Sequence, residues 1–310
     1  MNQDDSKFNY IIYHDNCFDG YTGFYLFIKT NLWESKPIVY PDIPHANKVP
    51  PGIENKNVII IDVAYKPYII QEISKLSKKM LFIDHHITLV EDVKKIILKP
   101  NDKIFYDNKY SGCLLVWKYF FGNKLPPKFV EYVNDNDIGK WSIKETLPFM
   151  AALEIHFKMI PDFNNLKKWD KLLEEKNLDK LIKKGYNYEI YKNYLLEKYS
   201  NKYKIFQFPS KKVLEVNKNF TILGQFKVAV INGGCPSVSL LGKKIAEESD
   251  CDFVLIWNYQ IDKKKYVISL RSKKTDVGLI AKYFGGGGHT LASAFSINKN
   301  QFDIDDLFME

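Results

Sequence analysis

Two apolar patterns alternate along the first third of the chain. Short continuous runs, at Phe8 to Tyr13, Asn57 to Asp62 and Met80 to Asp84, read as strands buried on both faces. Between them, Tyr21 to Asn31 and Tyr68 to Lys78 carry apolar residues at helical spacing, and Val39-Tyr40 suggests a further short strand. Strands of this kind alternating with helices predict an α/β fold with a parallel sheet. Ligand sites of such sheets lie beyond the carboxyl ends of the strands. His14, Asp62 and Asp84 all fall at those ends, so three polar strand exits converge.

Helices are expected at about Ser111 to Phe121 and Pro127 to Val133, the second leading into Asn134-Asp135-Asn136-Asp137. From about Asn165 to Tyr203, a Lys/Glu-rich stretch with Leu and Tyr at helical spacing predicts long bridging helices. After about Phe220 the pattern changes. Strands are expected at Phe226 to Ile231, at Phe253 to Asn258 paired with Tyr266 to Leu270, and at Ser293 to Ile297. Helices are expected from Pro236-Ser237 to Glu248 and from Asp276 to Phe284. The organisation predicted is a larger domain over 8–205 and a smaller α/β domain over 220–310, with an active-site cleft between them.

Composition changes this picture little, with one exception. The 310 residues are 45% hydrophobic and 26% charged, which suits a packed globular chain. No apolar run is long enough to span a bilayer, and the polar start, Met1 to Lys7, is no signal peptide. Four scattered cysteines without a CxxC pair argue against a disulfide framework, so a reducing, cytoplasmic setting is expected, with no membrane partner. The net charge of +8 permits an anionic partner. Most of the lysines follow from a bias toward Lys, Asn, Ile and Tyr that an A/T-rich coding sequence would produce. The exception is Arg271, the one arginine. Where Lys serves elsewhere, a retained Arg suggests a planar, bidentate donor.

The chemistry-bearing residues gather at the strand exits. In Asp84-His85-His86 a carboxylate and imidazoles stand side by side, a mixed O and N set suited to Mn²⁺ or a similar divalent ion. Alone, such a triplet is more often a polar turn, and an Asp at a strand end often only caps the next turn. With His14, Asp19, Asp62 and Asp135 the set is what a two-metal phosphoesterase needs. Farther on, Gly285-Gly286-Gly287-Gly288 before His289 suits a cradle for an anion, because glycines let backbone N–H groups approach closely. Cys17 reads as a small packing residue.

These motifs, in this order and ending in Ala292-Ser293-Ala294-Phe295, resemble the DHH phosphoesterase superfamily with its C-terminal Gly-rich-His domain. The resemblance covers nearly the whole chain. It implies two divalent ions, with Mn²⁺ first and Mg²⁺ or Co²⁺ as alternatives. His14, Asp19 and Asp62 would hold one ion. Asp62 would bridge to a second, completed by His85 and Asp135, with Asp137 able to exchange roles with Asp135. Asp84 would be a ligand or would orient His85, and His86 would touch the scissile phosphate. Arg271, Gly286, Gly287, Gly288 and His289 would bind substrate. Many relatives have a second Asp two residues after the first of this motif, where this chain has Tyr21. Asp15, Asn16 or water would have to substitute. The implied activity is hydrolysis of short oligonucleotides or dinucleotides to nucleoside monophosphates. Alternatives are a RecJ-like single-strand exonuclease, a nucleotide-bisphosphate phosphatase and a non-catalytic nucleic-acid-binding module. Oligomeric state is left open.

Overall fold

The computed structural model describes residues 7–44, 46–86, 89, 96–216, 224–233 and 237–309. The chain divides into two compact units, Met1–Glu189 and Ile190–Glu310. His45, Cys235 and the expected start of the second domain at 220 lie outside the described residues.

The first unit is built on a five-stranded, all-parallel sheet of β1 (Phe8–His14), β2 (Trp33–Asp42), β3 (Asn57–Ile61), β4 (Lys79–Asp84) and β5 (Lys103–Tyr106), in the order β2-β1-β3-β4-β5. The continuous apolar runs have a clear physical cause. Alternate residues of one strand enter two different cores. Ile11, Ile59, Ile61, Leu81 and Ile83 pack on one face with α1 (Phe18–Ile28) and α3 (Gly112–Phe121). Tyr10, Ile12, Val58, Ile60, Met80 and Phe82 pack on the other with α2 (Pro67–Leu76). Each such side chain contributes about 1.5–3 kcal/mol on full burial, so β1, β3 and β4 form the rigid middle of the sheet. Three further helices, α4 (Lys128–Asp137), α5 (Thr146–His156) and α6 (Phe163–Trp169), continue this unit.

The long helix α7 (Glu175–Ser200) runs through the division between the units. The boundary therefore falls earlier than the expected 205–220 interval. Its physical reason is that Leu196 already packs with Ala229, Ile231, Leu241 and Ile245 of the second core. The second unit holds a six-stranded mixed sheet, ordered β10-β11-β9-β8-β7-β6. Its strands are β6 (Lys204–Phe208), β7 (Phe226–Asn232), β8 (Phe253–Gln260), β9 (Lys265–Arg271), β10 (Gly287–His289) and β11 (Ala292–Asn298). Only β7 and β8 pair in parallel. Helices α8 (Lys211–Val216), α9 (Val238–Glu248) and α10 (Val277–Tyr283) complete the unit. Among the described residues no helix is long and apolar enough to cross a membrane.

Candidate metal centre

The exits of β1, β3 and β4 lie side by side, because these strands are neighbours in the sheet. His14 ends β1, Asp62 follows β3, and Asp84 ends β4 with His85 and His86 just beyond it. Asp62 is only 1% exposed and sits in the left-handed backbone region, φ 62°, while its N–H still pairs with Ile83 O at 2.9 Å. A non-glycine residue held there is a sparse conformation that surrounding structure has to enforce. The turn aims its carboxylate at two imidazoles: Oδ2 is 3.2 Å from His14 Nδ1, and Oδ1 is 3.1 Å from His85 Nε2.

Asp19, in the first turn of α1, is fixed by another helix. Its Oδ2 accepts from Gly112 N at 2.6 Å and its Oδ1 from Cys113 N at 2.9 Å, at the amino end of α3. Gly112 is a site residue that the sequence reading missed. A Cβ there would lie 2.7 Å from Asp62 Cβ and 2.9 Å from Asp19 Oδ2, so only glycine lets α3 close over both carboxylates. Its one sequence signal is a glycine directly after Ser111 at the start of an otherwise apolar helix.

The remaining carboxylate corrects an expectation. Asp135 does not join the cluster. Its Oδ1 accepts from Ser142 N and Ser142 Oγ, and its Oδ2 from Ile143 N and Thr146 Oγ1, so it ties the loop after α4 to the start of α5. Asp137 takes the place instead, with Oδ2 at 3.4 Å from His85 Nε2. Asp19 Oδ2 lies 3.7 Å from the same nitrogen. Asp84 likewise serves His86 rather than His85: its Oδ1 accepts from His86 N at 2.8 Å and stands 2.9 Å from His86 Nδ1. Tyr21, in the position where a second Asp was sought, faces away from the cluster. Its hydroxyl donates to Ile160 O and accepts from Asn165 Nδ2, and its ring packs on Trp169. Cys17 is brought to the cluster, with Sγ 3.7 Å from Asp62 Oδ2.

Three overlapping groups could each hold an ion: His14, Cys17 and Asp62; Asp62, His85 and His86; Asp19, His85 and Asp137. The fit can be tested on the protein's own electrostatics. Burial pushes the Asp137 carboxyl up to about 7, with the Asp19 charge adding to the effect. Burial and Asp62 raise Asp19 as well. Burial disfavours the charged form of His85, but Asp137, Asp62 and Asp19 outweigh it and lift the imidazole to about 10. Burial opposes ionisation of Asp62 too, yet His14 and His85 hold it far below the usual carboxylate range. The cluster is thus an excess of buried negative charge that borrows protons to compensate. In addition, Asp84 Oδ2 and Asp137 Oδ2 are buried without a hydrogen-bond partner among the described residues. Buried acceptors of this kind are costly unless a cation or donor meets them. A divalent ion with mixed O and N ligands fits the set.

In the second unit, Arg271 is half-buried. Its guanidinium donates to Leu270 O at 2.7 Å, Ser239 Oγ at 2.8 Å and, at a longer 3.4 Å, Ser293 O. No ion pair to it occurs among the described residues, and burial alone lowers it to about 10. Gly242 lets α9 press on its stem, since a Cβ there would be 2.5 Å from Arg271 Cγ. Ala292 pairs in register with both Arg271 and His289, which puts all three on one face of the sheet. The glycine run has a packing reason. Gly285 N and Gly286 N bond back to Lys282 O and Ala281 O to finish α10, and a Cβ at Gly286 would meet Ala294 O at 2.1 Å. Gly287, Gly288 and His289 then form β10.

No family model matches the sequence. The chain is similar to a pGpG-specific phosphodiesterase, PggH, of Vibrio cholerae, with TM-score 0.49 and 16% identity over 95% of this chain and 94% of that one. It is also similar to RecJ of Thermus thermophilus, solved with Mg²⁺, with TM-score 0.41 and 14% identity over 97% of this chain and 49% of that one. In sequence it is 30% identical over 304 residues to the uncharacterized protein R106 of Acanthamoeba polyphaga mimivirus, spanning 93% of this chain and 67% of that protein. At that identity and coverage, the chain belongs to the same family as the mimivirus protein R106.

Proposed function

We propose that the chain is a metal-dependent phosphoesterase of the DHH type, hydrolysing phosphodiester bonds of short oligonucleotides or dinucleotides to nucleoside monophosphates. The observation that carries the reading is the convergence of Asp19, Asp62, Asp84 and Asp137 with His14, His85 and His86 at three adjacent strand exits, with the buried Asp84 Oδ2 finding no hydrogen-bond partner among the described residues. Asp19, His85 and Asp137 would hold one ion, His14 and Asp62 a second, and Asp62 would serve both. Bound divalent ions supply Lewis-acid polarisation of the phosphate and a water acidified toward neutral pH.

The chain's own groups supply the rest. His86 is held through Nδ1 and its backbone N–H by Asp84. Burial disfavours its charged form, but Asp84 outweighs this and favours an imidazolium, a donor suited to the negative charge that grows on a phosphate oxygen. Asp19 is locked by two N–H donors, so its geometry does not depend on the ion. In the second unit, Arg271 beside Ser239 near the amino end of α9 is suited to an additional, non-reacting phosphate.

The test is a hydrolysis panel with Mn²⁺, Mg²⁺ or Co²⁺ over dinucleotides, short RNA and DNA, a cyclic dinucleotide and nucleotide bisphosphates. Activity on the short linear substrates, abolished by a chelator and restored by the metal, is expected. Undiminished hydrolysis in excess chelator, or no hydrolysis of any panel member with metal bound, would overturn the reading. Preference for long single strands or for bisphosphates would move it to the corresponding alternative.

A further inference from the structure

We propose that Cys17 is a metal ligand, which makes the position beside His14 and Asp62 one for Zn²⁺, Fe²⁺ or Co²⁺ in preference to Mg²⁺. This rests on the metal-centre reading above and deepens it. His14, Cys17 and Asp62 each offer an atom to a common point, all within 4.8 Å of one another. Sγ lies 3.7 Å from Asp62 Oδ2, which itself lies 3.2 Å from His14 Nδ1.

The local backbone sets this up. Asn16 takes a left-handed turn, φ 52°, between β1 and α1, and Cys17 follows in extended conformation at the N-cap of α1. Burial and the nearby Asp62, Asp137 and Asp19 push the free thiol well above its ordinary value, so the thiolate would form only together with the ion. On binding, the thiol proton passes to solvent and the sulfur pair goes to the ion.

Elimination supports the same assignment. The position beside His14 needs a ligand besides Asp62, and the other candidates are engaged elsewhere. Asp19 is bonded by α3 and faces His85 and Asp137. Tyr21 is turned to Ile160 and Trp169. Asp15 is exposed, with Oδ1 accepting from Asn16 N. Sulfur is therefore the atom in place.

The consequence is a centre of two unlike positions. One offers nitrogen, sulfur and oxygen; the other, at Asp19, His85 and Asp137, offers oxygen and nitrogen only. Thiolate favours Zn²⁺ and its neighbours, whereas Mg²⁺ takes oxygen ligands.

The decisive experiment is Co²⁺ titration of the metal-free full chain without oxygen, followed by absorption spectroscopy. A thiolate-to-cobalt charge-transfer band in the near ultraviolet is expected. It should vanish in Cys17→Ser and persist in Cys251→Ser, and Zn²⁺ affinity of Cys17→Ser should fall at least about tenfold, the lower end of what even outer-shell groups contribute. Cys17→Asp should bind Mg²⁺ more tightly than the unmodified protein. A second measurement needs no variant: Zn²⁺ should protect Cys17 of the unmodified protein from alkylation, read by peptide mapping. Cobalt bound without the band, a band retained in Cys17→Ser, or unprotected alkylation at full metal occupancy would overturn the thiol ligand and leave the metal centre standing. No cobalt bound at all would overturn the metal centre and the thiol ligand together.

Discussion

The strand exits of the first unit and the glycine run of the second both place small residues beside chemically suggestive ones, but the glycines do different things. Gly112 makes room for side chains: its missing Cβ is occupied by the approach of Asp19 and Asp62. Gly286 makes room for backbone, admitting Ala294 O of the neighbouring strand. At the strand exits carboxylate oxygens are left buried without a hydrogen-bond partner among the described residues, which stable folds avoid unless something else binds there. In the glycine run the N–H groups of Gly285 and Gly286 are already used by α10. The difference teaches that a glycine-rich motif is evidence of close approach, and that only the thing approached says whether a ligand is involved.

The comparison can be broken most sharply by adding one methyl group on each side. Gly112→Ala should empty the metal centre and lower activity by about a hundredfold or more, since displacements near 1 Å suffice for that loss. Gly286→Ala should leave metal content unchanged and instead destabilise the fold by about 1–3 kcal/mol through overpacking. Metal analysis and thermal melting of both variants decide it. Metal retained in Gly112→Ala would remove the distinction.

Next in size is the pair on α4. Asp137→Asn should lose metal at the Asp19 and His85 position while the fold is kept. Asp135→Ala should keep its ligand set but melt early, by about 1–3 kcal/mol, because the buried Thr146 hydroxyl loses its acceptor along with the less buried Ser142 and Ile143 N–H groups. Circular dichroism and metal stoichiometry separate the two.

Arg271→Lys should impair hydrolysis by about tenfold to a hundredfold on substrates with an additional phosphate, the worth of a charge-assisted bond of about 1.5–3 kcal/mol. A chromogenic diester lacking that phosphate should be nearly unaffected. Equal rates on both would show Arg271 to be a packing residue, like its glycine neighbours.

The smallest effect is a pH dependence confined to the strand exits. In the metal-free protein, Asp137 is raised from 3.8 to about 7 and His85 from 6.5 to about 10. A raised folded value means stability that is fully present below the unfolded value and lost as pH rises through the folded one. Metal-free protein should therefore lose the Asp137 contribution as pH rises from 3.8 to about 7 and the His85 contribution from 6.5 to about 10, melting progressively earlier across that range. Bound metal, which needs the same groups deprotonated, should flatten that decline. Melting curves with and without Zn²⁺ test this, and parallel declines would count against Asp137 and His85 as ligands.

Much of this was legible in the sequence, for physical reasons. Continuous apolar strands ending in His14, Asp62 and Asp84 announce a two-faced parallel sheet and its functional edge. The identity of the last carboxylate was not legible, because Asn134 to Asp137 looks like a loop but forms the last turn of α4. Two residues along a helix turn by about 200°, so Asp135 and Asp137 face opposite ways, one to Ser142 and Thr146, the other to His85. Cys17 was hidden by the left-handed turn at Asn16, which no hydrophobic pattern encodes. Tyr21 was hidden by a distant partner, Trp169.

The bond from Gly112 to Asp19 joins residues 93 positions apart. Closing so long a loop is slow and comes only after the local helices have formed. Until that bond forms, Asp19 is not fixed for the position it would share with His85 and Asp137. An ion taken up there after folding would stabilise the native state by mass action. Loading should then leave the refolding rate unchanged and lengthen the native lifetime, so the ion works as a latch on unfolding.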